Sequence, residues 1–232
     1  YAATCGAGGT GVAYAADGSS IGNVGSISEL RDISDIGWGH IKAGGGGGGS
    51  TYSNQTNRYG TGGSCGGPAG SGNAVIVGNQ TNEDNFKYGK DSTNCRGGTL
   101  LRFKNDSGAG SGYGSPHYGK EGGGGAGGPG GAGLTTNLGG AGGHGMRSDI
   151  TGTDTFYCAG GGGCTYNATD AAAAHPDSNS TTGQAKGVNT ASSGINATTY
   201  GGGGGGYDRN GSPDISGAGR QGVIIIRYRD YT

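Results

Sequence analysis

Glycine makes up 63 of the 232 residues, and much of it lies in uninterrupted runs. The longest runs are Gly44–Gly49, Gly122–Gly125, Gly160–Gly163 and Gly201–Gly206. Glycine loses more backbone entropy on folding than any other residue and has no side chain to bury, so chains this rich in it are usually disordered. If this chain folds, its stability must come from contacts between backbones.

Side chains recur at every third residue in one of these glycine-rich stretches. From Gly122 to Gly133, the only residues other than glycine are Ala126, Pro129 and Ala132. Period three is typical of the left-handed polyproline II helix, which has three residues per turn, rises about 3.1 Å per residue and has no internal hydrogen bonds. The same spacing separates Ala7 from Thr10 and Ala141 from His144.

Bare glycine faces allow neighbouring helices of this type to approach until their backbones touch. N–H groups without a partner in their own helix then donate to carbonyl groups of the next helix. Contacts between glycine Cα–H groups and carbonyl oxygens add modestly to this. The sequence therefore predicts an irregular, all-β type of fold: a bundle of polyglycine II helices with a small flanking β-sheet and long polar loops.

Other structures that could explain the glycine content fit less well. A collagen triple helix needs an unbroken Gly-X-Y register, which Leu134, Thr135 and Thr136 interrupt. Flexible glycine linkers remain an alternative, but linkers of that kind lack side chains at every third residue and embedded strands. Hydrophobic residues make up 30% of the chain and many are alanine, so a conventional hydrophobic core is not expected.

A few segments between the glycine runs have the composition of β-strands. The strongest is Val223–Tyr228, which is rich in β-branched residues. Shorter candidates are Ala74–Val77 and Leu100–Phe103, whereas the pattern of Ser26–Ile36 fits either a short helix or a strand. Trp38 is expected to pack beneath the small sheet rather than to form an exposed ligand platform.

The chain divides into two predicted parts. Residues 1–35 form an N-terminal segment that is a candidate for contact between subunits. Residues 36–232 form the polyglycine II domain, which ends in the predicted strand. The edge of such a bundle offers backbone hydrogen-bonding groups as a sheet edge does, so either the last strand or Tyr1–Val12 is expected to contact a neighbouring copy.

Three features occur together between Ile36 and Tyr228. A strand leads into Gly44–Gly49, glycine blocks are separated by variable loops, and the region ends in Gly-Val-Ile-Ile-Ile-Arg-Tyr at Gly222–Tyr228. In these features the chain resembles the glycine-rich domains of bacterial surface proteins and phage tail fibres. It is similar in layout to the distal tail-fibre adhesins of T-even-type phages, in which polyglycine II helices form a layered sandwich and edge loops recognise receptors. The resemblance implies no catalytic or binding residue by motif, and the long Asn- and Thr-rich loops and the cysteines depart from it.

Asn-X-Ser/Thr sequons, the acceptor sites of N-glycosylation, occur more often than chance would give. They begin at Asn54, Asn79, Asn105, Asn167, Asn179 and Asn196. A further sequon at Asn210 is disfavoured because Pro213 follows it. The excess predicts a secreted, extracellular glycoprotein, and attached glycans would argue against a phage origin. The alternative is that polar loops enriched in Asn and Thr produce the motif without any sugar.

Five cysteines agree with an oxidising compartment. Cys158 and Cys164 flank a glycine run and are candidates for a disulfide that closes a small loop. Cys65 with Cys95, or either of them with Cys5, are candidates for bridges between distant segments. Spacing does not determine the connectivity. Because the count is odd, one thiol is left over, and Cys5 is the candidate for a free or intersubunit cysteine.

Charge and hydropathy exclude two classes of partner. The formal net charge is −1, from 15 basic and 16 acidic residues without blocks of either sign. Nucleic acids and anionic membranes both require a basic stripe, so neither is an expected partner. No apolar stretch approaches the roughly 20 residues of a membrane span.

Apparent motifs for nucleotide and metal binding are incomplete. Gly114–Lys120 has the spacing of a phosphate-binding loop, but Glu121 replaces the Ser or Thr that holds magnesium. Oxygen-bearing side chains alternate as in an EF-hand at Asp208, Asn210, Ser212 and Asp214. Pro213 replaces the glycine of that loop, and the final glutamate is missing. The four histidines form no zinc-binding pattern with the cysteines. We therefore expect no enzyme activity, cofactor or metal.

Two functions from different classes follow. The first is a structural subunit of an extracellular, glycosylated fibre or coat, which assembles as a homo-oligomer or filament through backbone edges. The second is an adhesin whose tyrosine-rich loops, around Tyr113, Tyr118 and Tyr207, bind a receptor or surface carbohydrate, because tyrosine offers a large contact area at low entropic cost. The structural subunit is the favoured hypothesis, since glycans on most loops would leave little bare surface for a receptor.

Overall fold

The computed structural model describes residues 1–13, 22–31, 33, 41–48, 105, 108, 121–133, 139–163, 194–207 and 215–228. These residues form five short strands in two antiparallel sheets, and the rest of the described chain is irregular. Helices are absent from this part of the chain. The structure is therefore broadly all-β and irregular, as the sequence predicts.

The first sheet contains three strands in the order β1-β2-β3, which are β1 (Ala2–Thr4), β2 (Gly25–Arg31) and β3 (Ile41–Gly45). Both pairs are antiparallel, and the β2–β3 pair is irregular between Gly25 and Ser28. The region 26–36, whose pattern fitted either a helix or a strand, supplies β2 because ladders on both sides satisfy its backbone groups. The predicted strand before the first glycine run is confirmed as β3.

The second sheet is a hairpin of β4 (Met146–Ser148) and β5 (Thr155–Tyr157). Its connection turns at Gly152, which has a φ of 87° and whose N–H donates to the Asp149 carbonyl at 2.7 Å. Only glycine adopts this backbone conformation without strain. Arg147 and Asp154 form an exposed ion pair across the ends of the two strands. The pair holds the pKa of Asp154 below its usual value, chiefly through the hydrogen bond from Arg147.

The prediction of a strand at Val223–Tyr228 is wrong, since residues 223–228 belong to no ladder in the described structure. The reason is the hydrogen bond made by Gly222, the residue directly before them. Gly222 donates to the Gly6 carbonyl at 2.9 Å, which places the segment beside a glycine-rich stretch rather than beside a strand. Strand propensity reflects how a side chain fits a sheet surface, so it needs a sheet partner. The candidate strands Ala74–Val77 and Leu100–Phe103, and also Trp38, lie outside the described residues.

Most of the described chain consists of glycine-rich stretches that hydrogen-bond sideways to one another. We call them the glycine segments, and they are residues 5–12, 22–24, 46–48, 121–133, 139–145, 158–163, 194–206 and 215–222. Backbone N–H groups of residues 216, 219 and 222 donate to the carbonyls of residues 12, 9 and 6 at 2.8–3.0 Å. Donors on one segment and acceptors on the other therefore both recur at every third residue, in antiparallel order.

The three-residue spacing recurs between other pairs of glycine segments, in both orientations. Gly203 and Gly206 donate to Ala159 and Gly162, so these segments run parallel. Gly160 and Gly163 donate to Gly143 and Gly140, so these segments run antiparallel. Side chains and hydrogen bonds in a β-strand alternate with a period of two, so these contacts are not distorted sheet ladders.

The first sheet passes into the glycine segments without a change of register. In the β1–β2 ladder Ala2 lies opposite Arg31, and the same register holds where Ser26 donates to Ala7 and Asn23 donates to Thr10. The segment 6–12 then has neighbours in three directions. They are residues 22–26, 46–48 and 216–222. A segment surrounded in this way has its backbone groups satisfied by several neighbours at once.

Close approach of backbones excludes side chains from the contacts between segments. A Cβ atom placed on Gly204 would lie 2.1 Å from the Gly217 carbonyl oxygen, and one on Gly46 would lie 2.0 Å from the Gly202 oxygen. Carbon and oxygen that are not bonded do not approach to such distances. Several side chains lie on the outside, where Ala7, Thr10, Pro129 and Ala132 are exposed, whereas Glu121 and Ser216 are buried between segments. Among the described residues, the buried hydrophobic side chains are Ala159 and Tyr207.

Candidate functional site

A cavity of about 210 Å³ lies between the first sheet, the hairpin and residues 222–225. Strands β2 and β3 contribute Ser28 and Ala43, and residues 148–158 contribute Ser148, Ile150, Tyr157 and Cys158. Tyr200 and Ile225 complete the wall. Val223 and Ile225, which were expected to belong to the last strand, thus line a cavity, because the preceding Gly222 lies against the Ser28 side chain of β2. None of the described residues that line it carries a charged side chain.

Cys158 and Gly201 lie in contact at the start of two parallel glycine segments. Both have a positive φ, 57° for Cys158 and 70° for Gly201. The Cys158 N–H donates to the Tyr200 carbonyl at 2.8 Å, and a Cβ on Gly201 would lie 2.7 Å from the Cys158 sulfur. In the sequence, a tyrosine directly precedes each of these two residues, at Tyr157 and Tyr200.

Burial raises the pKa of the Cys158 thiol above its usual value. The thiol is therefore neutral at physiological pH, since burial penalises the charged form. Thiolate is the nucleophilic form of cysteine, so Cys158 is a poor nucleophile in the folded chain. The cavity is accordingly a neutral, mostly apolar space.

The other cysteines are only partly covered by the structure. Cys5 is an exposed free thiol next to β1, and it is therefore accessible to a second chain. Cys65, Cys95 and Cys164 lie outside the described residues. The disulfides predicted for Cys158 with Cys164 and for Cys65 with Cys95, and the intersubunit role of Cys5, remain predictions.

Two of the predicted glycosylation sites are described, and they differ in their surroundings. The Asn105 side chain is partly buried, and its Nδ2 donates to the carbonyls of Gly125 at 2.8 Å and Ala126 at 3.2 Å. A sugar replaces one hydrogen of Nδ2, so a glycan at Asn105 would remove part of this contact. Asn196 is exposed, and its Oδ1 accepts from the Ala218 N–H at 2.8 Å, which directs Nδ2 away from that contact. The sequons at Asn54, Asn79, Asn167 and Asn179 lie outside the described residues.

The tyrosines assigned to a binding surface do not form one in the described structure. Tyr207 is fully buried, so its proposed contact with a receptor is wrong. It directly follows the glycine run Gly201–Gly206. Tyr113 and Tyr118 lie outside the described residues. The Arg220 guanidinium lies 4.1 Å from the centre of the Tyr200 ring. Arg220 also donates to the Thr198 carbonyl.

Large apolar side chains are exposed at the end of the molecule that carries the first sheet. Tyr1 is 84% exposed and Ile33 is 68% exposed. The pairing of Ala2 with Arg31 brings these two residues to the same end of the sheet. Ile226 is 63% exposed and Tyr228 is 83% exposed, and they follow Gly222, which is bonded to Gly6. Exposed apolar groups that share one end of a molecule are typical of an interaction surface.

The structure covers little of the incomplete motifs for nucleotide and metal binding. Within the described ranges, His, Cys, Asp and Glu side chains do not gather in groups of three that suit a metal ion. The Asp208–Asp214 region lies outside those ranges, as does Gly114–Lys120. Glu121, at the end of the loop-like motif, is buried among glycine segments. The part of the chain that the structure describes contains no helix able to span a membrane.

No protein-family model, curated protein or solved structure matches the chain.

Proposed function

We propose that this chain is a non-enzymatic structural subunit of an extracellular, glycosylated fibre or coat, and that its rigid body is a bundle of polyglycine II helices. The observation that carries the proposal is the three-residue spacing of lateral hydrogen bonds between glycine segments. In a helix with three residues per turn, every third residue points in the same direction, whereas in a strand every second residue does.

The close contacts between segments support the same assignment. Backbones lie so near that a methyl group at Gly204 or Gly46 would overlap a carbonyl oxygen of the next segment. A flexible linker has no such requirement, because nothing in it depends on a fixed neighbour. Ala7, Thr10 and Ala132 carry side chains that face solvent. This distribution suits a rod whose stability comes from its main chain.

A structural role suits this architecture because the bundle offers repeated backbone groups and few chemically active ones. Backbone edges accept further segments from another copy, as open sheet edges do. The exposed apolar side chains Tyr1, Ile33, Ile226 and Tyr228 offer a second type of contact at the sheet end. Asn196 is exposed, which is compatible with a glycan on the surface. These features together support a secreted protein that assembles as a homo-oligomer or filament.

Sedimentation of the purified glycoprotein under oxidising conditions tests the proposal. We expect the mass to rise with concentration, and electron microscopy to show regular filaments or sheets. Intact mass before and after glycosidase treatment measures the attached sugar in the same preparation. A protein that stays monomeric at high concentration and binds cells or glycans would instead be the adhesin.

A further inference from the structure

The cavity at the sheet end has the size of one substituted ring. Its volume is about 210 Å³. An enclosed apolar cavity of about 150 Å³ holds a benzene molecule, and pockets for drug-sized ligands begin at about 300 Å³. This cavity opens to solvent, so part of a bound ring would stay exposed. The space therefore suits a single six-membered ring with a small substituent.

The walls favour an aromatic ring over a charged or strongly polar one. Tyr157 and Tyr200 supply aromatic surface, and Ile150 and Ile225 supply aliphatic surface. Aromatic pairs prefer offset or edge-to-face arrangements, which two separated tyrosines can offer to a ring between them. An ionised ligand would lose its hydration without gaining a partner of opposite charge, because the described lining contains none.

Two serine hydroxyls supply polar contacts to such a ring. Ser148 Oγ accepts from the Ile150 N–H at 3.3 Å, and Ser28 Oγ accepts from the Gly6 N–H at 3.0 Å. A hydroxyl that accepts one hydrogen bond retains its own hydrogen and a second lone pair. Each serine is thus able to hydrogen-bond a hydroxyl group on the ligand.

We propose that this cavity binds one neutral aromatic ring that carries a hydroxyl group, the chemistry of phenol. Two sources provide this group: a small phenolic molecule, or a tyrosine side chain of a second copy of the chain. Tyr1 and Tyr228 are 84% and 83% exposed and are therefore accessible to a second copy. A projecting apolar group that fits a pocket on another copy is a known route to ordered assembly. Binding at the cavity does not depend on the fibre proposal.

The direct test is titration of the full chain with p-cresol, the side-chain analogue of tyrosine, observed by methyl NMR. We expect saturable shifts of the Ile150, Ile225 and Val223 methyl groups, with a Kd on the order of 1 mM, as is typical of so small a ligand. Ile215, which is partly exposed and does not line the cavity, serves as the internal reference, and its methyl groups should stay unchanged. Absence of saturable shifts at the cavity residues would overturn the proposal.

A matched pair of variants shows whether the binding site is the cavity. Ala43 lines the cavity and Ala3 does not, and both are exposed strand residues of the same sheet. We expect Ala43→Phe to fill the space and to weaken p-cresol binding at least tenfold, whereas Ala3→Phe should bind as the unmodified chain does. Equal binding by both folded variants would place the ligand elsewhere and overturn the proposal. If Ala43→Phe does not fold, the methyl shifts of the unmodified chain decide alone.

The source of the ring is determined by self-association measurements. If a second copy supplies it, Tyr228→Ala or Tyr1→Ala should weaken association, and saturating p-cresol should do the same to the unmodified chain. If p-cresol binds in the cavity while association is unaffected by these changes, a small phenolic molecule is the source. Both results support the phenol site, and they also separate it from the backbone contacts proposed for the fibre.

Discussion

At the scale of single residues, Gly204 illustrates why the glycines are required. A methyl group there would lie 2.1 Å from the Gly217 carbonyl oxygen. This oxygen belongs to the backbone, so it cannot rotate away as the end of a side chain could. We expect Gly204→Ala to lower the free energy of unfolding by about 2–3 kcal/mol, the cost of overpacking. Ala126→Ser, at a half-buried position that already carries a side chain, should stay within about 0.5 kcal/mol.

Thermal or denaturant unfolding of the two variants measures the difference. Equal tolerance at both positions would mean that the glycines are merely flexible, and the close packing of backbones would then be wrong.

Asn105 has a structural role that its sequon does not reveal. Its Nδ2 donates hydrogen bonds to two carbonyls of the 121–133 segment. Asn105→Ala should lower the unfolding free energy by about 1–2 kcal/mol, because two partly buried carbonyls lose a donor. Asn196→Ala, which loses an exposed hydrogen bond, should have less than half that effect.

The comparison of Asn105 with Asn196 should be made on protein from a bacterial host, where no sugar is attached. A larger effect at Asn196 than at Asn105 would contradict the assigned roles.

The Cys158 thiol should make stability depend on pH on the alkaline side. Burial raises its pKa in the folded chain above the value of about 8.5 found in unfolded chains. The folded state therefore holds the proton more tightly, so this contribution is fully present below pH 8.5 and falls as the pH rises through the folded value. Melting temperatures of the unmodified chain and of Cys158→Ala between pH 7 and 10 provide the measurement.

The alkaline loss of stability should be smaller in Cys158→Ala than in the unmodified chain. Alkylation mapped by mass spectrometry gives an independent check, since exposed Cys5 should react at pH 7.5 well before Cys158. Faster reaction at Cys158 would contradict its burial.

At the scale of elements, the course of the 158–163 segment bears on the disulfides. If it is a polyglycine II helix with a rise of about 3.1 Å per residue, Gly163 lies about 15 Å from Cys158. Bridged cysteines have Cα atoms about 4.4–6.8 Å apart. We therefore expect that Cys158 is not bridged to Cys164 of the same chain, contrary to the loop-closing pair that sequence spacing suggested.

Digestion of the oxidised protein without reduction, followed by mass spectrometry, identifies the bridged peptides. A peptide with Cys158 joined to Cys164 in the same chain would show that the segment is not extended.

Prediction of the elements from sequence was successful where neighbouring strands existed. The strand before Gly44–Gly49 is present as β3, and the ambiguous region around Ile27 became β2 between two partners. The prediction of a strand at Val223–Tyr228 was wrong, although this segment was the strongest strand candidate in the sequence. Propensity describes how well residues suit a sheet, and Gly222 lies beside Gly6 and the Ser28 side chain instead.

At the scale of the whole molecule, composition predicted that backbones would have to contact one another, but it did not predict which segments would be neighbours. The runs Gly122–Gly125, Gly160–Gly163 and Gly201–Gly206 consist of glycine alone, so no side-chain pattern distinguishes the partner of one from that of another. The cavity was also unpredictable, because residues far apart in sequence, such as Ser28, Tyr157 and Ile225, line it. The burial of Tyr207 was equally unpredictable from the sequence.

The most direct test of the central claim detects the lateral hydrogen bonds themselves. Scalar coupling across a hydrogen bond, measured by NMR, joins the amide nitrogen of one residue to the carbonyl carbon of its acceptor. We predict couplings from Ser216 to Val12, from Gly219 to Gly9 and from Gly222 to Gly6, with slow exchange of these amide hydrogens. Absence of the couplings together with exchange at the rate of an unfolded chain would contradict the account.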